Sequence, residues 1–259
     1  MSAVKLHFYR FGTGDPLIIL HGLFGTADNW IKISRDLANK YMVIVPDLRN
    51  HGRSPHSSEF TYQSMVSDIL ELVKQENIDS FHLLGHSMGG KTAMMLALNN
   101  PQLVKKLVIA DIAPRLYIDH NEHSKYIEAM LLVDPSNYKT RGEIDIALRQ
   151  YIPNDSIRLF LLKNLHRDQN QRLEWRINLF ALSKSLPGIM EAITADYPFS
   201  NPTLFLAGEQ SNYISSLDQD DIFELFPNAT IQTIPEAGHW LHADQPELFL
   251  QRVQEFLTR

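Results

Sequence analysis

Four short apolar runs decide what this chain can fold into. Leu17-Ile18-Ile19-Leu20, Met42-Val43-Ile44-Val45, Phe81-His82-Leu83-Leu84 and Leu107-Val108-Ile109-Ala110 are too short for buried helices and lack the alternation of half-exposed strands. Such runs fit central strands of a parallel sheet, which is buried on both faces. Between them, Asp28 to Asn39, Thr61 to Gln75 and Met88 to Asn99 place apolar residues at three- and four-residue intervals, the period of helices lying on that sheet. Further strands are expected at Thr203 to Ala207 and Thr230 to Ile234, with a closing helix at Glu247 to Leu257. Val4 to Phe11 alternates like a half-buried antiparallel strand, and Gly12-Thr13-Gly14-Asp15-Pro16 turns the chain after it. The pattern predicts α/β architecture.

From Pro114 to about Pro202 the alternation stops. Amphipathic helices are expected near Glu122 to Leu132, Arg141 to Tyr151, Ser156 to Leu165 and Leu173 to Ser185, separated by breakers such as Pro135, Pro153 and Pro187 and with no convincing strand. The expectation is one domain, residues 1–259, with a core at 1–114 and 201–259 and an inserted helical cap at about 115–200. A chain of 259 residues can bury a large core, and a formal charge of −6 argues against nucleic acid or acidic membranes as partners. No stretch has the length of a transmembrane helix, and Met1 to Gly14 lacks the apolar segment of a signal peptide. Cys is absent, which removes disulfides, thiolate metal sites and a cysteine nucleophile, and is compatible with a reducing compartment. A cytoplasmic protein with a small-molecule substrate is expected, with no membrane insertion.

Chemistry is concentrated at Gly85-His86-Ser87-Met88-Gly89, a Gly-x-Ser-x-Gly pentapeptide between a strand and a helix. A serine on so sharp a turn stands exposed at the sheet edge, and the small flanking residues relieve the crowding. Its hydroxyl is a poor nucleophile without a base. His239, in Pro235-Glu236-Ala237-Gly238-His239-Trp240 after the last strand, is the expected base, because carboxyl ends of parallel strands share one edge of the sheet. His242 is a rival, placed within the start of a helix. Attack on a carbonyl creates an oxyanion, which needs preorganised N–H donors. Those expected are Met88, at the start of the helix, and Leu23, in the loop His21-Gly22-Leu23-Phe24-Gly25 after the first run.

Together these features resemble the α/β-hydrolases over essentially the whole chain: His-Gly-x-x-Gly, then Pro46-Asp47-Leu48-Arg49-Asn50-His51-Gly52-Arg53-Ser54-Pro55, the Ser87 turn, and Gly-His-Trp near the end. Gly85-His86-Ser87-Met88-Gly89-Gly90-Lys91 and Ala110-Asp111-Ile112-Ala113-Pro114 are similar to the YbfF-type esterases. The resemblance implies an α/β-hydrolase fold and a serine carboxylesterase for short or medium acyl groups, with acyl-CoA thioesters among the candidates. It implies no cofactor. Most capped relatives carry the triad's acid after the strand that follows the cap, but Gly208-Glu209-Gln210-Ser211 puts Ser211 there, and serine cannot supply the charge. Asp111 takes that role in the resemblance, with Glu209, Asp218 and Asp220 as alternatives, and Ser211 is expected beside the substrate, with a hydrogen bond near His239.

Plainer roles compete for several residues. Ser87 could be a helix cap, and Asp111 could bond only its own turn. His51 and His86 could simply pack, and Asp47 and Arg49 could fix a loop. Tyr117, Tyr126, Phe160, Trp175 and Phe180 read as core of the cap, whereas Phe24 and Trp240, beside catalytic elements, are expected to line the acyl site. His239-x-x-His242 and His120-x-x-His123 lack carboxylates at ligand spacing, so no metal is expected. A hydroxynitrile lyase or other lyase, a cofactor-free oxygenase, and a ligand-binding protein without turnover are the competing functions on such a scaffold.

Overall fold

A computed structural model describes residues 2–118 and 121–258. Nine strands and ten α-helices are assigned among them. The core contributes β1 Phe8–Phe11, β2 Asp15–Leu20, α1 Ile31–Leu37, β3 Tyr41–Pro46, α2 Tyr62–Gln75, β4 Phe81–His86, α3 Met88–Asn99 and β5 Val104–Ala110. Then come α4 Asn121–Leu132, α5 Arg141–Leu148, α6 Asp155–Leu161, β6 Leu165–Arg167, β7 Leu173–Trp175 and α7 Leu179–Met190. The chain ends with β8 Thr203–Gly208, α8 Gln219–Leu225, β9 Ala229–Ile234, α9 Leu241–Asp244 and α10 Pro246–Thr258.

Seven strands form the main sheet in the order β1-β3-β2-β4-β5-β8-β9, with every pairing parallel except β1 with β3. The apolar runs are buried on both faces, as their continuity requires. Ile18, Leu20, Leu83, Leu107 and Ile109 point to the side packed by α2, α3 and the 115–202 segment. Leu17, Ile19, Leu84, Val108 and Leu204 point to the side packed by α1 and α10. Register then aligns the carboxyl ends: Leu20 pairs with Gly85, His86 with Ala110, Ala110 with Leu206, and Gly208 with Ile234. The loops after β2, β4, β5, β8 and β9 therefore open side by side.

Four sequence expectations are corrected. The first strand begins at Phe8, not Val4, because its partner β3 ends at Pro46, opposite Phe8. The segment between β5 and β8 does contain strands, since β6 and β7 form an antiparallel hairpin. Asp168 closes it by accepting the Asn170 and Arg172 N–H groups at 2.8 Å each, with Gln171 at φ 63°. The helix expected from Leu173 consequently starts at Leu179, capped by Asn178, which accepts the Ala181 N–H at 3.2 Å. Pro187 lies inside this helix instead of ending it; burial of Leu182, Leu186 and Ile189 outweighs the proline's cost there. Among the described residues no helix is long and apolar enough to cross a membrane.

Candidate active site

Directly after β4, Ser87 turns the chain into α3 with φ 54° and ψ −121°, a conformation that costs a non-glycine residue about 1–3 kcal/mol. Two glycines permit it. A Cβ on Gly85 would lie 2.3 Å from the Gly89 carbonyl oxygen, and one on Gly89 2.4 Å from that of Leu20. The Ser87 N–H donates to the Ala110 carbonyl at 3.1 Å, while its hydroxyl caps nothing in α3. The hydroxyl is thus left for the cavity that Ser87 lines.

Asp111 follows β5 with φ 50° and is fully buried. Its Oδ1 accepts the Gly208 N–H at 2.9 Å, and its Oδ2 accepts both His239 Nδ1–H, at 2.8 Å, and the Ser211 hydroxyl. An ionised carboxylate with such donors is well solvated by protein. The bond to Asp111 places the His239 proton on Nδ1 and leaves the Nε2 lone pair for a substrate-side proton. The His239 loop is pinned by His86, whose Nε2–H donates to the His239 carbonyl at 2.8 Å. Tyr213 stacks on the imidazole, with ring centroids 3.8 Å apart and planes at 18°. Burial, then the Asp111 charge, pushes the Tyr213 phenol up to about 12. Tyr213 also holds its place through its carbonyl, which accepts the Tyr117 hydroxyl at 2.5 Å.

The alternative acids are engaged elsewhere. Glu209 accepts the Glu236 N–H at 2.9 Å, Asp218 caps Ser215 and pairs with Arg115 at 2.7 Å, and Asp220 lies exposed on α8. The rival base His242 stacks on Trp30 at 4.1 Å, and burial, reinforced by His239, lowers it to about 3. It is neutral across the ordinary pH range.

Ser87, His239, Leu23, Phe24 and Trp240 line one cavity of about 220 Å³. Leu23 and Met88 flank Ser87 in a smaller adjoining space, and neither N–H has an acceptor among the described residues. For Met88 this follows from its place as the first residue of α3. Ser211 is absent from the cavity wall. Its N–H closes a turn on Gly208 at 3.1 Å, which aims the hydroxyl at Asp111, so its expected place beside substrate is corrected to one behind the carboxylate. Tyr126 and Phe160, read as core, line the cavity too. Trp175 instead donates to Met130, and Phe180 is exposed.

Asp47 and Arg49 fix loops. Asp47 accepts the Ala27 and Arg53 N–H groups at 2.8 and 2.9 Å, and the buried Arg49 forks onto Asp68 at 2.6 and 2.7 Å. His120 lies outside the described residues. Among those described, no group of three His, Asp, Glu or Cys stands together to hold a metal. Besides Tyr213, two site neighbours were given no role by the sequence pattern. Lys91, one helical turn after Ser87, is buried with its ammonium on the Arg115, Met190 and Glu191 carbonyls at 2.9, 3.3 and 2.6 Å. Asn164 donates to the Phe24 carbonyl.

Comparison with known proteins agrees with this fold. The chain is 44% identical over 265 residues to the sn-1-specific diacylglycerol lipase ABHD11 of Danio rerio, covering 99% of this chain and 83% of that one. It is 35% identical over 248 residues to Esterase YbfF of Escherichia coli (strain K12), covering 94% and 93%. A solved marine microorganism esterase is 47% identical, with a TM-score of 0.96 over 98% of this chain and 100% of its own. Residues 15–156 match the family described as alpha/beta hydrolase fold. With its parallel sheet, serine turn and carboxyl-edge loops, the chain belongs to the α/β-hydrolase family.

Proposed function

We propose that this chain is a serine carboxylesterase working through an acyl-enzyme on Ser87. The observation that carries the reading is the 2.8 Å bond from His239 to the buried Asp111, with His239 and Ser87 on one cavity wall. His239 Nε2 takes the Ser87 proton as Oγ adds to the ester carbonyl carbon. The resulting oxyanion is met by the Leu23 and Met88 N–H groups, and Asp111 holds the imidazolium. Collapse expels the alcohol, protonated by His239, and leaves acyl-Ser87. A water, deprotonated by His239, then adds to the acyl carbon and releases the acid.

Residues 115–200 act in this reading as a cap inserted into a core of 1–114 and 201–259, since Tyr126 and Phe160 close the cavity from that segment. Phe24, Trp240, Tyr126 and Phe160 make the wall apolar and aromatic, which suits an acyl chain of short to medium length. The names of the relatives, a diacylglycerol lipase and esterases, support diacylglycerols beside simple esters as candidate substrates, and acyl-CoA thioesters carry the same electrophilic carbonyl carbon. The test is turnover of a p-nitrophenyl ester series from acetate to long chains, with mass spectrometry of the intact protein during turnover. Release of p-nitrophenol together with an acyl adduct, both lost in Ser87→Ala, is the expected result. Saturable binding with no product across the series would replace it with a ligand-binding role, and an uncleaved ester series together with aldehyde release from a cyanohydrin would replace it with a lyase.

A further inference from the structure

The expected oxyanion donor Leu23 sits in a tight turn with one strained residue. The Gly25 N–H closes the turn on the Gly22 carbonyl at 3.0 Å, and Phe24, its third residue, has φ 62°. That position normally demands glycine. A phenylalanine keeps such a conformation only where surrounding structure over-determines it. The surrounding structure comes from the 115–202 segment. Asn164, buried in the short 3-10 turn Leu162–Asn164, donates from Nδ2 to the Phe24 carbonyl at 2.9 Å. No other described residue donates to that oxygen. Asn164 is itself fixed, since its side-chain amide also reaches the Leu161 carbonyl at 3.2 Å and its main-chain carbonyl accepts the Arg176 N–H at 2.8 Å. The Phe24 ring lies against His123 and Tyr126 of α4, at 6.2 and 6.5 Å between centroids.

We propose that Asn164 is a positioning residue for catalysis: by holding the Phe24 carbonyl it keeps the turn in its left-handed form and so aims the Leu23 N–H at the oxyanion. The proposal rests on the acyl-transfer reading above. Without the amide, Phe24 relaxes toward negative φ, the Gly22–Gly25 turn rotates, and one oxyanion donor leaves its place. Asn164 does not itself line the cavity and meets the wall only through the Phe24 and Leu161 carbonyls behind it, so the loss falls mainly on the transition state and spares most of ground-state binding.

The experiment uses Asn164→Asp, which keeps the shape and replaces the donor by an acceptor, and the neutral Asn164→Ser, which keeps the question open should a buried carboxylate unfold the chain. For a p-nitrophenyl ester, kcat is expected to fall about 10- to 100-fold with KM within about twofold. An alkyl trifluoromethyl ketone supplies a second readout. Ser87 Oγ adds to its carbonyl, and 19F resonance follows ionisation of the hemiketal hydroxyl. Its pKa should rise by about one unit or more in the variants, matching the loss in rate. Phe24→Gly, which tolerates positive φ unaided, should restore part of the turnover in the Asn164→Asp background. A folded variant with wild-type kcat and wild-type hemiketal titration would overturn the proposal. If the unmodified protein forms no hemiketal and cleaves no ester, the acyl-transfer reading itself has failed.

Discussion

Asp111 Oδ2 accepts two donors, from His239 and Ser211, and the two differ in what they do for the reaction. Asp111→Asn would present an amide to Nδ1 and favour the wrong tautomer, so ester turnover should fall about 10⁴-fold in a variant that still melts cooperatively. Ser211→Ala removes one of three donors to the carboxylate and leaves the imidazole bond, so a loss of about tenfold is expected, the worth of one hydrogen bond. Glu209→Gln should leave turnover unchanged, because that side chain serves only the Glu236 N–H among the described residues. Steady-state kinetics on the three variants separates these outcomes, and an inactive Glu209→Gln beside an active Asp111→Asn would reassign the acid. Ser87 and His239 were legible in the sequence because each lies in a short loop bounded by strand and helix signals. Tyr213 and Asn164 were not. Their partners are set by contacts with residues 239 and 24, far along the chain, and no local spacing encodes that.

Among the elements, the central strands were readable because burial on both faces leaves an unbroken apolar run, whereas β6 and β7 have three residues each, too few to show a period. The helix α3 carries information that its pattern hides. Lys91 projects from it onto carbonyls at both ends of the 115–202 segment, Arg115 at the entry and Met190 and Glu191 at the exit. Burial, with Arg115 adding repulsion, lowers its ammonium from 10.5 to about 7. Lys91→Met would leave these carbonyls without their donor, at about 1–3 kcal/mol for each that stays dry. The unfolded chain keeps the lysine proton up to about 10.4 while the folded chain gives it up near 7, so the ammonium's penalty is present at neutral pH and vanishes as pH rises between those values. Urea unfolding should accordingly show a Lys91→Met deficit that widens from pH 6.5 to pH 9. A deficit that is constant or narrows would mean that the fold does not depress the Lys91 ammonium.

Taken whole, the molecule stores several neutral imidazoles under its carboxyl edge. Burial lowers His21 to about 4, His51 to about 3 and His242 to about 3, and depresses His86 strongly. Each would bind a proton near pH 6.5 once unfolded, so the unfolded state gains protons first and stability falls as pH drops from about 6.5 toward 3. The slope reaches up to about 1.4 kcal/mol per histidine per pH unit. His51→Gln should flatten that acid limb by about one proton, measured as unfolding free energy at pH 7, 5 and 4; parallel limbs would show that His51 is not neutral in the fold. The overall architecture was readable from the strand runs, since register follows once their order is set. The wall of the cavity was not, because Tyr126 and Phe160 reach it through packing of helices whose tilt no sequence period reports. At Gly89 the helix that carries Ser87 meets Leu20 and His21 backbone to backbone, with space for not even a methyl group. That junction has no side chain through which selection or a designer can retune it. Laboratory evolution of acyl preference should therefore spare residues 85–90 and draw its diversity from positions 122–160, where a change in shape alters which substrates enter and leaves the reacting groups in place.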